Sequence, residues 1–167
     1  MKARGNSKGI NRHCYLYHVT HQYFVELDTD GSPINETKEI GLYTTKQFAY
    51  QAIERFKTLP GFRDYPDCFS IAKQRCYLQR AESRDQLSII YSPYHEVYLP
   101  NSDCDLVTTG CLFDTHEEAA AVLEAWKASV SCIGGDESYN VIEYQINEDS
   151  FWREGFSHAD EGDHSAI

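Results

Sequence analysis

An internal repeat narrows the folds open to this chain more than any other property of its sequence. Residues 41–57 align without a gap with residues 111–127, at an offset of 70, and the same offset places residues 69–71 on 139–141. A duplicated segment encodes one supersecondary unit twice, so the elements of one copy predict those of the other. The aligned pairs that agree in identity or character are Leu42/Leu112, Tyr43/Phe113, Thr45/Thr115, Ala49/Ala119, Ile53/Leu123, Glu54/Glu124, Phe56/Trp126 and Lys57/Lys127.

Three segments of each copy predict β-strands. They are rich in Tyr, Val, Ile and Phe and are bounded by turn residues. In the third strand of the first copy, Phe69, Ile71 and Tyr77 are placed to face a core. Pro93 predicts a break in the first strand of the second copy, since proline cannot donate to a strand ladder. The segments are 14–27, 38–43 and 69–78 in the first copy, and 87–99, 105–113 and 139–146 in the second.

One helix is predicted in each copy. Thr44 or Thr45 is placed as the N-cap of the first helix, and Asp114 or Thr115 as the N-cap of the second, over 116–129. The first helix ends at the Leu-Pro-Gly of residues 59–61. In the second, Glu117 and Glu118 lie in the first turn, where the helix dipole favours carboxylates. The apolar residues that recur at helical spacing in the first helix are Phe48, Ala49, Ala52, Ile53 and Phe56.

These elements predict an α+β fold of two diverged ββαβ units packed as a pseudo-twofold pair, with a mostly antiparallel sheet. One small sheet with one apolar helix offers little core, and packing the copies together would bury the remaining faces. Continuation of one sheet into the other and a helix-on-sheet sandwich both fit. The expected divisions are a flexible N-terminus (1–13), the first unit (14–80), a linker (81–86), the second unit (87–157) and a flexible acidic tail (158–167).

The first copy resembles a family of small uncharacterised bacterial domains. The shared pattern is Ile-Gly-x-Tyr, then Pro-Gly-Phe-Arg-Asp, then Phe-x-Ile, found here at residues 40–43, 60–64 and 69–71. That family closes with Trp-x-x-Gly-Phe, which here lies at 152–156, after the second copy, and the second copy has no Pro-Gly-Phe-Arg-Asp segment. The resemblance implies a fold unit and a bacterial origin, and it carries no activity to any residue.

Charge is divided unevenly between the two halves. Residues 1–81 hold 12 Lys and Arg against 8 Asp and Glu, whereas residues 82–167 hold 3 against 18. Such an acidic half repels nucleic acid and steers basic proteins towards it. A solvated surface that keeps the protein soluble is the other interpretation. No run approaches the roughly 20 apolar residues that span a bilayer, and residues 1–13 contain no apolar signal region, so we expect a cytoplasmic protein that binds no membrane.

The acidic half also carries tyrosines that could anchor a protein partner. Tyrosine beside carboxylates is a common interface composition, although many of these rings are also expected in the core. The sequence therefore predicts a partner-binding surface made of Tyr91, Tyr94, Tyr98, Asp103, Asp105, Glu117, Glu118, Asp136, Glu137 and Tyr139.

No motif predicts catalysis, a resident metal or a cofactor. The Asp-Thr-Asp-Gly of residues 28–31 has its glycine at the wrong position for an EF-hand and predicts a turn between strands. His18 and His21 lie three apart, which puts them on opposite faces of a strand, so a soft-metal site with Cys14 is a weak alternative. A Cys68 or Cys76 nucleophile paired with His18 would need the fold to bring it together.

The resulting profile is similar to that of a bacterial immunity protein, the stoichiometric inhibitor encoded beside a toxin of contact-dependent growth inhibition. The expected partner is a basic, nuclease-like toxin whose phosphate-binding positions the carboxylates would occupy. The alternative is a small-ligand-binding or regulatory module with its site between the two repeats. An enzyme is the third interpretation, and a buried Cys-His or paired-carboxylate site would favour it.

Overall fold

The structure is a computed structural model that describes residues 12–27, 33–99, 104–129 and 136–156. Within this part of the chain the protein is α+β, with two α-helices and a mostly antiparallel sheet, which confirms the predicted class. None of these helices is long and apolar enough to cross a membrane. The elements in chain order are β1 (Arg12–Leu27), β2 (Pro33–Tyr43), α1 (Lys46–Phe56), β3 (Phe69–Leu78), β4 (Ile89–Leu99), β5 (Cys104–Thr109), β6 (Leu112–Phe113), α2 (His116–Ser129) and β7 (Asp136–Gln145).

The described residues cluster into two compact units, each built from two separate stretches of chain. The α1 unit contains residues 16–74 and 144–156, and the α2 unit contains residues 12–15 and 75–143. Strands β1 and β3 are long enough to contribute to both units. The division of the chain into a first unit at 14–80 and a second unit at 87–157 stays a prediction.

In the α1 unit, helix α1 packs on the strands ordered β2-β1-β3. The helix begins where predicted, because the Thr45 hydroxyl accepts a hydrogen bond from Phe48 N at 3.1 Å. Its buried face meets apolar side chains from β1, β2 and the loop that follows the helix. This core consists of Val19, Ile40, Tyr43, Ala49, Ala52, Ile53, Phe56 and Phe62.

Phe48 does not belong to this core, although it recurs at helical spacing with the α1 residues that do. Its side chain is 43% exposed, whereas Ala49, Ala52, Ile53 and Phe56 are buried. Those four residues already form a complete apolar stripe along α1, and Phe48 lies at the margin of that stripe. An aromatic side chain is thus left in contact with solvent.

The C-terminal segment 144–156 completes the α1 unit. Its backbone pairs with β2, where Asn147 N donates to Leu42 O at 2.8 Å, and further on Gly155 N donates to Pro60 O at 2.7 Å. Gly61 has φ +76°, a left-handed conformation that favours glycine. The Trp-x-x-Gly-Phe and Pro-Gly-Phe segments, which are 90 residues apart in sequence, therefore pack within one unit.

In the α2 unit the strand order is β3-β6-β4-β5, and β7 also pairs with β4. β3 and β6 are parallel, whereas β4 is antiparallel to both β5 and β6. The predicted single strand 105–113 is divided into β5 and β6. Tyr94 pairs with Thr109 and Tyr91 with Phe113, so three steps along β4 match four along its partner. One extra residue therefore bulges out near Gly110.

The predicted break at Pro93 is wrong, because β4 runs without interruption from Ile89 to Leu99. Pro93 lies next to the bulge, and its carbonyl accepts a hydrogen bond from Gly110 N at 3.1 Å. Proline is tolerated in a sheet at such irregular positions, where the ladder does not need its missing N–H.

Residues related by the offset of 70 have matching environments in the two units. Ala49 and Ala119 are both completely buried, and Ile53 and Leu123 are buried to nearly the same degree. Thr115 caps α2 as Thr45 caps α1, accepting a hydrogen bond from Glu118 N at 3.4 Å. The repeat is thus a repeat of structural roles as well as of residue types.

Candidate interaction surfaces

Two of the three tyrosines that the predicted surface has on β4, Tyr91 and Tyr94, lie on opposite faces of the strand. Side chains alternate along a strand, so Tyr91 and Tyr94, three residues apart, point to different sides. The Tyr91 ring meets the ring of His116 edge-on at 5.5 Å, so its face is the one that α2 covers. Tyr94, on the other face, is half-buried. The sequence alone could have assigned these two tyrosines to different faces, because side chains three residues apart on a strand point to opposite sides.

Glu137 and Tyr139 form a cluster with His95 on the α2-covered face. The Tyr139 hydroxyl donates to Glu137 Oε2 at 2.6 Å, and the imidazole of His95 stacks on the Tyr139 ring with centroids 4.2 Å apart. His95 Nε2 lies 3.7 Å from the same carboxylate oxygen. The side chains of His95 and Glu137 are only 8% and 13% exposed. These predicted partner-binding groups are therefore mainly engaged within the protein.

The carboxylates at the start of α2 hold the chain segment that follows β3. Asp114 accepts hydrogen bonds from the backbone N–H groups of Gln79, Arg80 and Ala81, at 2.7, 2.8 and 2.7 Å. Glu117 pairs with the Arg80 guanidinium at 3.4 Å, and Glu118 accepts a hydrogen bond from the Gln79 side chain. Three backbone donors on one carboxylate make Asp114 a structural anchor, which the sequence did not reveal.

The other predicted residues are distributed differently. Asp136 is exposed at the first position of β7, on the face opposite Glu137. The backbones of Tyr98 and Asp105 lie in β4 and β5, but their side chains, like the whole of Asp103, are outside the described residues. The predicted set is therefore divided between at least two faces of the α2 unit.

Negative charge is concentrated on the α2 unit. Its described residues include five Lys and Arg against eleven Asp and Glu, whereas those of the α1 unit include seven against nine. Within this described part, every basic side chain of the α2 unit already has an internal contact. The acidic excess is thus left for solvent or for a partner.

Exposed aromatic side chains are found on the α1 unit, where no interaction surface was predicted. Tyr50 is 51% exposed and Phe151 is 79% exposed, in addition to Phe48. Tyr50 lies in a shallow groove of about 690 Å³ along α1, which also contains Lys46 and Arg55. Arg55 is held there by a bidentate pair with Asp149, with N–O distances of 2.6 and 2.7 Å. A helical-wheel comparison of Phe48 with the apolar stripe could have indicated this exposure.

Asp149 also accepts a hydrogen bond from a buried tyrosine in the core of the α1 unit. The hydroxyl of the buried Tyr43 donates to Asp149 Oδ1 at 2.8 Å. Burial raises the pKa of Asp149, but the hydrogen bonds from Arg55 and Tyr43 outweigh it and leave the pKa below its usual range. Asp149 is therefore ionised and links the helix, the core and the C-terminal segment.

His21 is completely buried in an aromatic environment between the two glycine-containing segments. Its ring lies 4.5 to 5.4 Å from the rings of Phe62, Phe69 and Phe156. Its Nε2 lies 2.9 Å from Tyr65 O, the geometry of an N–H donor, and Nδ1 has no hydrogen-bond partner among the described residues. Burial lowers the pKa of His21, so the ring is held neutral.

We expect the stability of the protein to fall as the pH drops below about 6.5, the pKa of an unfolded histidine. Burial lowers the folded-state pKa of both His18 and His21, so below that pH the unfolded chain binds protons that the folded chain does not. The loss is at most about 1.4 kcal/mol per pH unit for each histidine. Urea unfolding at several pH values would measure it.

Substitution of both histidines tests whether their lowered pKa values cause the loss of stability. His18→Gln with His21→Phe should flatten the dependence between about pH 7 and pH 5. Asp149→Asn should change the stability profile in a different pH range. The Asp149 carboxyl has a lowered folded-state pKa, so its contribution to stability is lost only below about pH 4. An unchanged slope in the histidine variant would contradict the prediction.

The weaker chemical sites considered from the sequence are not assembled in the described part of the chain. There, no group of three or more His, Cys, Asp or Glu could hold a metal ion. His18 Nδ1 accepts from Gln74 Nε2 at 3.1 Å, and its Nε2 lies 3.5 Å from Glu39, so neither nitrogen faces a cysteine. Residues 28–31, the turn with a calcium-loop composition, lie outside the described residues.

Comparison of the chain with protein-family models, with curated proteins and with solved structures gives no match. The resemblance of the first copy to a small bacterial domain family therefore stays a prediction.

Proposed function

We propose that this chain is a stoichiometric protein inhibitor, an immunity protein that binds a basic toxin through the acidic surface of the α2 unit. The observation that supports it is the charge of that unit: eleven carboxylates against five basic groups in its described part, with all five already engaged internally. An uncompensated field of one sign raises the rate of encounter with a partner of the other sign.

The outer face of α2 is the part of this surface best placed for contact. Glu117 and Glu124 lie seven residues apart, on the same side of the helix, and their side chains are 72% and 69% exposed. Three of the exposed residues between and after them, Ala121, Ala125 and Ala128, are small. A partner could therefore approach the helix closely, and its Lys or Arg side chains could compete with Arg80 and Lys127 for the two carboxylates, since these surface pairs are weak.

The repeat provides a matched pair of variants to test this surface. Glu124 pairs with Lys127 in α2, and Glu54 pairs with Lys57 in α1, at aligned positions and with similar exposure. Glu124→Lys should slow association with a basic partner about three- to tenfold at low salt, whereas Glu54→Lys should leave it nearly unchanged. The difference should shrink at high salt, which screens exposed charges.

The partner to use is the protein encoded by the neighbouring gene, with kinetics measured by surface plasmon resonance. An assay of its nuclease activity, with and without one equivalent of this chain, tests inhibition separately from binding. Absence of binding, or equal effects of the two variants, would overturn the proposal. Circular dichroism of both variants controls for changes in folding.

Three parts of the proposal remain predictions from the sequence. These are the pseudo-twofold packing of two ββαβ units, the cytoplasmic location, and the bacterial origin implied by the resemblance. The rival function, a ligand-binding module with a site between the repeats, predicts a thermal shift with a panel of metabolites. The inhibitor proposal predicts none and requires a protein partner.

A further inference from the structure

Two thiols of the α2 unit face each other across neighbouring strands. Arg75 Nη2 donates to the hydroxyl of Tyr15 at 3.4 Å, and Arg12 Nη2 donates to Gln79 O at 3.2 Å, so β1 and β3 run in opposite directions here. In that arrangement the residue before Tyr15 lies opposite the residue after Arg75. These residues are Cys14 and Cys76, and each thiol is close enough to shift the pKa of the other.

The strands already have the spacing that a disulfide requires. Directly opposed residues of antiparallel strands have Cα atoms about 4.5 to 5.5 Å apart. A disulfide joins residues whose Cα atoms lie about 4.4 to 6.8 Å apart. The bond could therefore form without separating or shifting β1 and β3.

The two thiols differ in reactivity in the way that a two-step oxidation needs. The hydrogen bond from Cys76 lowers the pKa of Cys14, and Arg84 acts in the same direction, against an opposing effect of burial. The hydrogen bond with Cys14 and then burial raise the pKa of Cys76. Cys14 is also partly exposed, whereas Cys76 is completely buried. Cys14 is thus the thiol that ionises more readily and that an oxidant can reach.

We propose that Cys14 and Cys76 are a modification site that forms a reversible disulfide when a peroxide oxidises the protein. The Cys14 thiolate attacks one peroxide oxygen, the O–O bond breaks, and hydroxide leaves as water after it takes a proton, which gives a sulfenic acid on Cys14. Cys76 sulfur then attacks Cys14 sulfur and displaces the hydroxyl as a second water, which carries the Cys76 proton. The two sulfurs lose two electrons in total, and the peroxide gains them.

This disulfide would tie the start of β1 to β3. It would be a covalent link between residues 14 and 76 that depends on the redox state of the surroundings. A dithiol reductant would reverse it by thiol–disulfide exchange, restoring both thiols. The inference is independent of the proposed inhibitor function.

Treatment of the full-length protein with hydrogen peroxide, followed by peptide mass mapping without reduction, tests the site. We expect a peptide pair that joins Cys14 to Cys76 and weighs two hydrogens less than the sum of its parts, and that disappears with dithiothreitol. Cys14→Ser should abolish this pair. Cys111→Ser, which removes an exposed thiol, should leave it intact.

Cys14→Ser is the safer of the two disruptive variants, because Cys14 is partly exposed whereas Cys76 is part of the core. The wild-type map alone is already decisive. Oxidation of Cys14 to a stable sulfinic or sulfonic acid with no cross-link, or a link from Cys14 to a different cysteine, would overturn the proposal.

Discussion

Replacement of Gly155 by alanine is expected to lower the free energy of unfolding by about 3 kcal/mol or more, a large part of the roughly 5 to 15 kcal/mol that stabilises a typical protein. A Cβ atom at this position would lie 2.7 Å from the carbonyl carbon of Gly61 and closer still to Phe62 N. Both neighbours are backbone atoms, and Gly155 N donates a hydrogen bond to Pro60 O. The segments that contain Gly61 and Gly155 therefore cannot move apart without a large cost in free energy.

Urea denaturation, followed by tryptophan fluorescence, measures this effect directly, because Trp152 lies in the same segment and its Nε1 donates to Glu39 O at 3.0 Å. Glu154→Ala is the matched control, since it changes the exposed neighbouring residue and leaves the backbone contact intact. If Gly155→Ala and Glu154→Ala unfold at the same urea concentration, the close packing of the two glycine-containing segments is contradicted.

Removal of the Asp114 carboxylate is expected to cost about 2 kcal/mol of stability and to loosen residues 79–81. Asp114→Ala leaves three backbone N–H groups without their acceptor, and hydrogen bonds to charged groups contribute more than neutral ones. Since the segment is largely exposed, water replaces part of the loss. Asp114→Asn keeps one acceptor oxygen and should lose about half as much.

Amide hydrogen exchange locates this effect as well as measuring it. In Asp114→Ala the amides of Gln79, Arg80 and Ala81 should exchange faster, whereas those of α1 should not change. Asp136→Ala removes an exposed carboxylate of the same unit and serves as the control for charge alone. Equal protection of residues 79–81 in Asp114→Ala and wild-type protein would show that Asp114 does not hold this segment.

Local signals in the sequence predicted the local structure well. Thr45 and Thr115 cap the two helices because a hydroxyl three residues before a free backbone N–H satisfies it whatever the rest of the chain does. The apolar stripe of α1 and the strand segments follow from side-chain periodicity in the same way. The predicted break at Pro93 was wrong because the free-energy cost of a proline in a strand depends on the partner strand. The bulge near Gly110 removes that cost, since no ladder hydrogen bond is needed from Pro93 there.

Contacts between distant residues were not predictable. Asp114 lies more than thirty residues from the amides it binds, and Asp149 more than ninety from Arg55, so neither pairing leaves a pattern in the sequence. The predicted partner-binding surface included engaged residues for the same reason. The carboxylates could be counted from the sequence, but the internal hydrogen-bond partners of Glu118 and Glu137 could not be predicted from it. The acidic excess itself survives as a property of the α2 unit.

The closing segment of the α1 unit has a consequence for synthesis of the protein on the ribosome. Residues 16–74 emerge first, but their sheet edge, the Pro60–Gly61 turn and the Asp149 acceptor for Tyr43 are completed only by residues 144–156. During the intervening elongation the nascent chain holds a half-finished unit with an unpaired strand edge and exposed core aromatics. Co-expression with chaperones should therefore raise the soluble yield, and truncation before residue 144 should leave the α1 unit unable to fold.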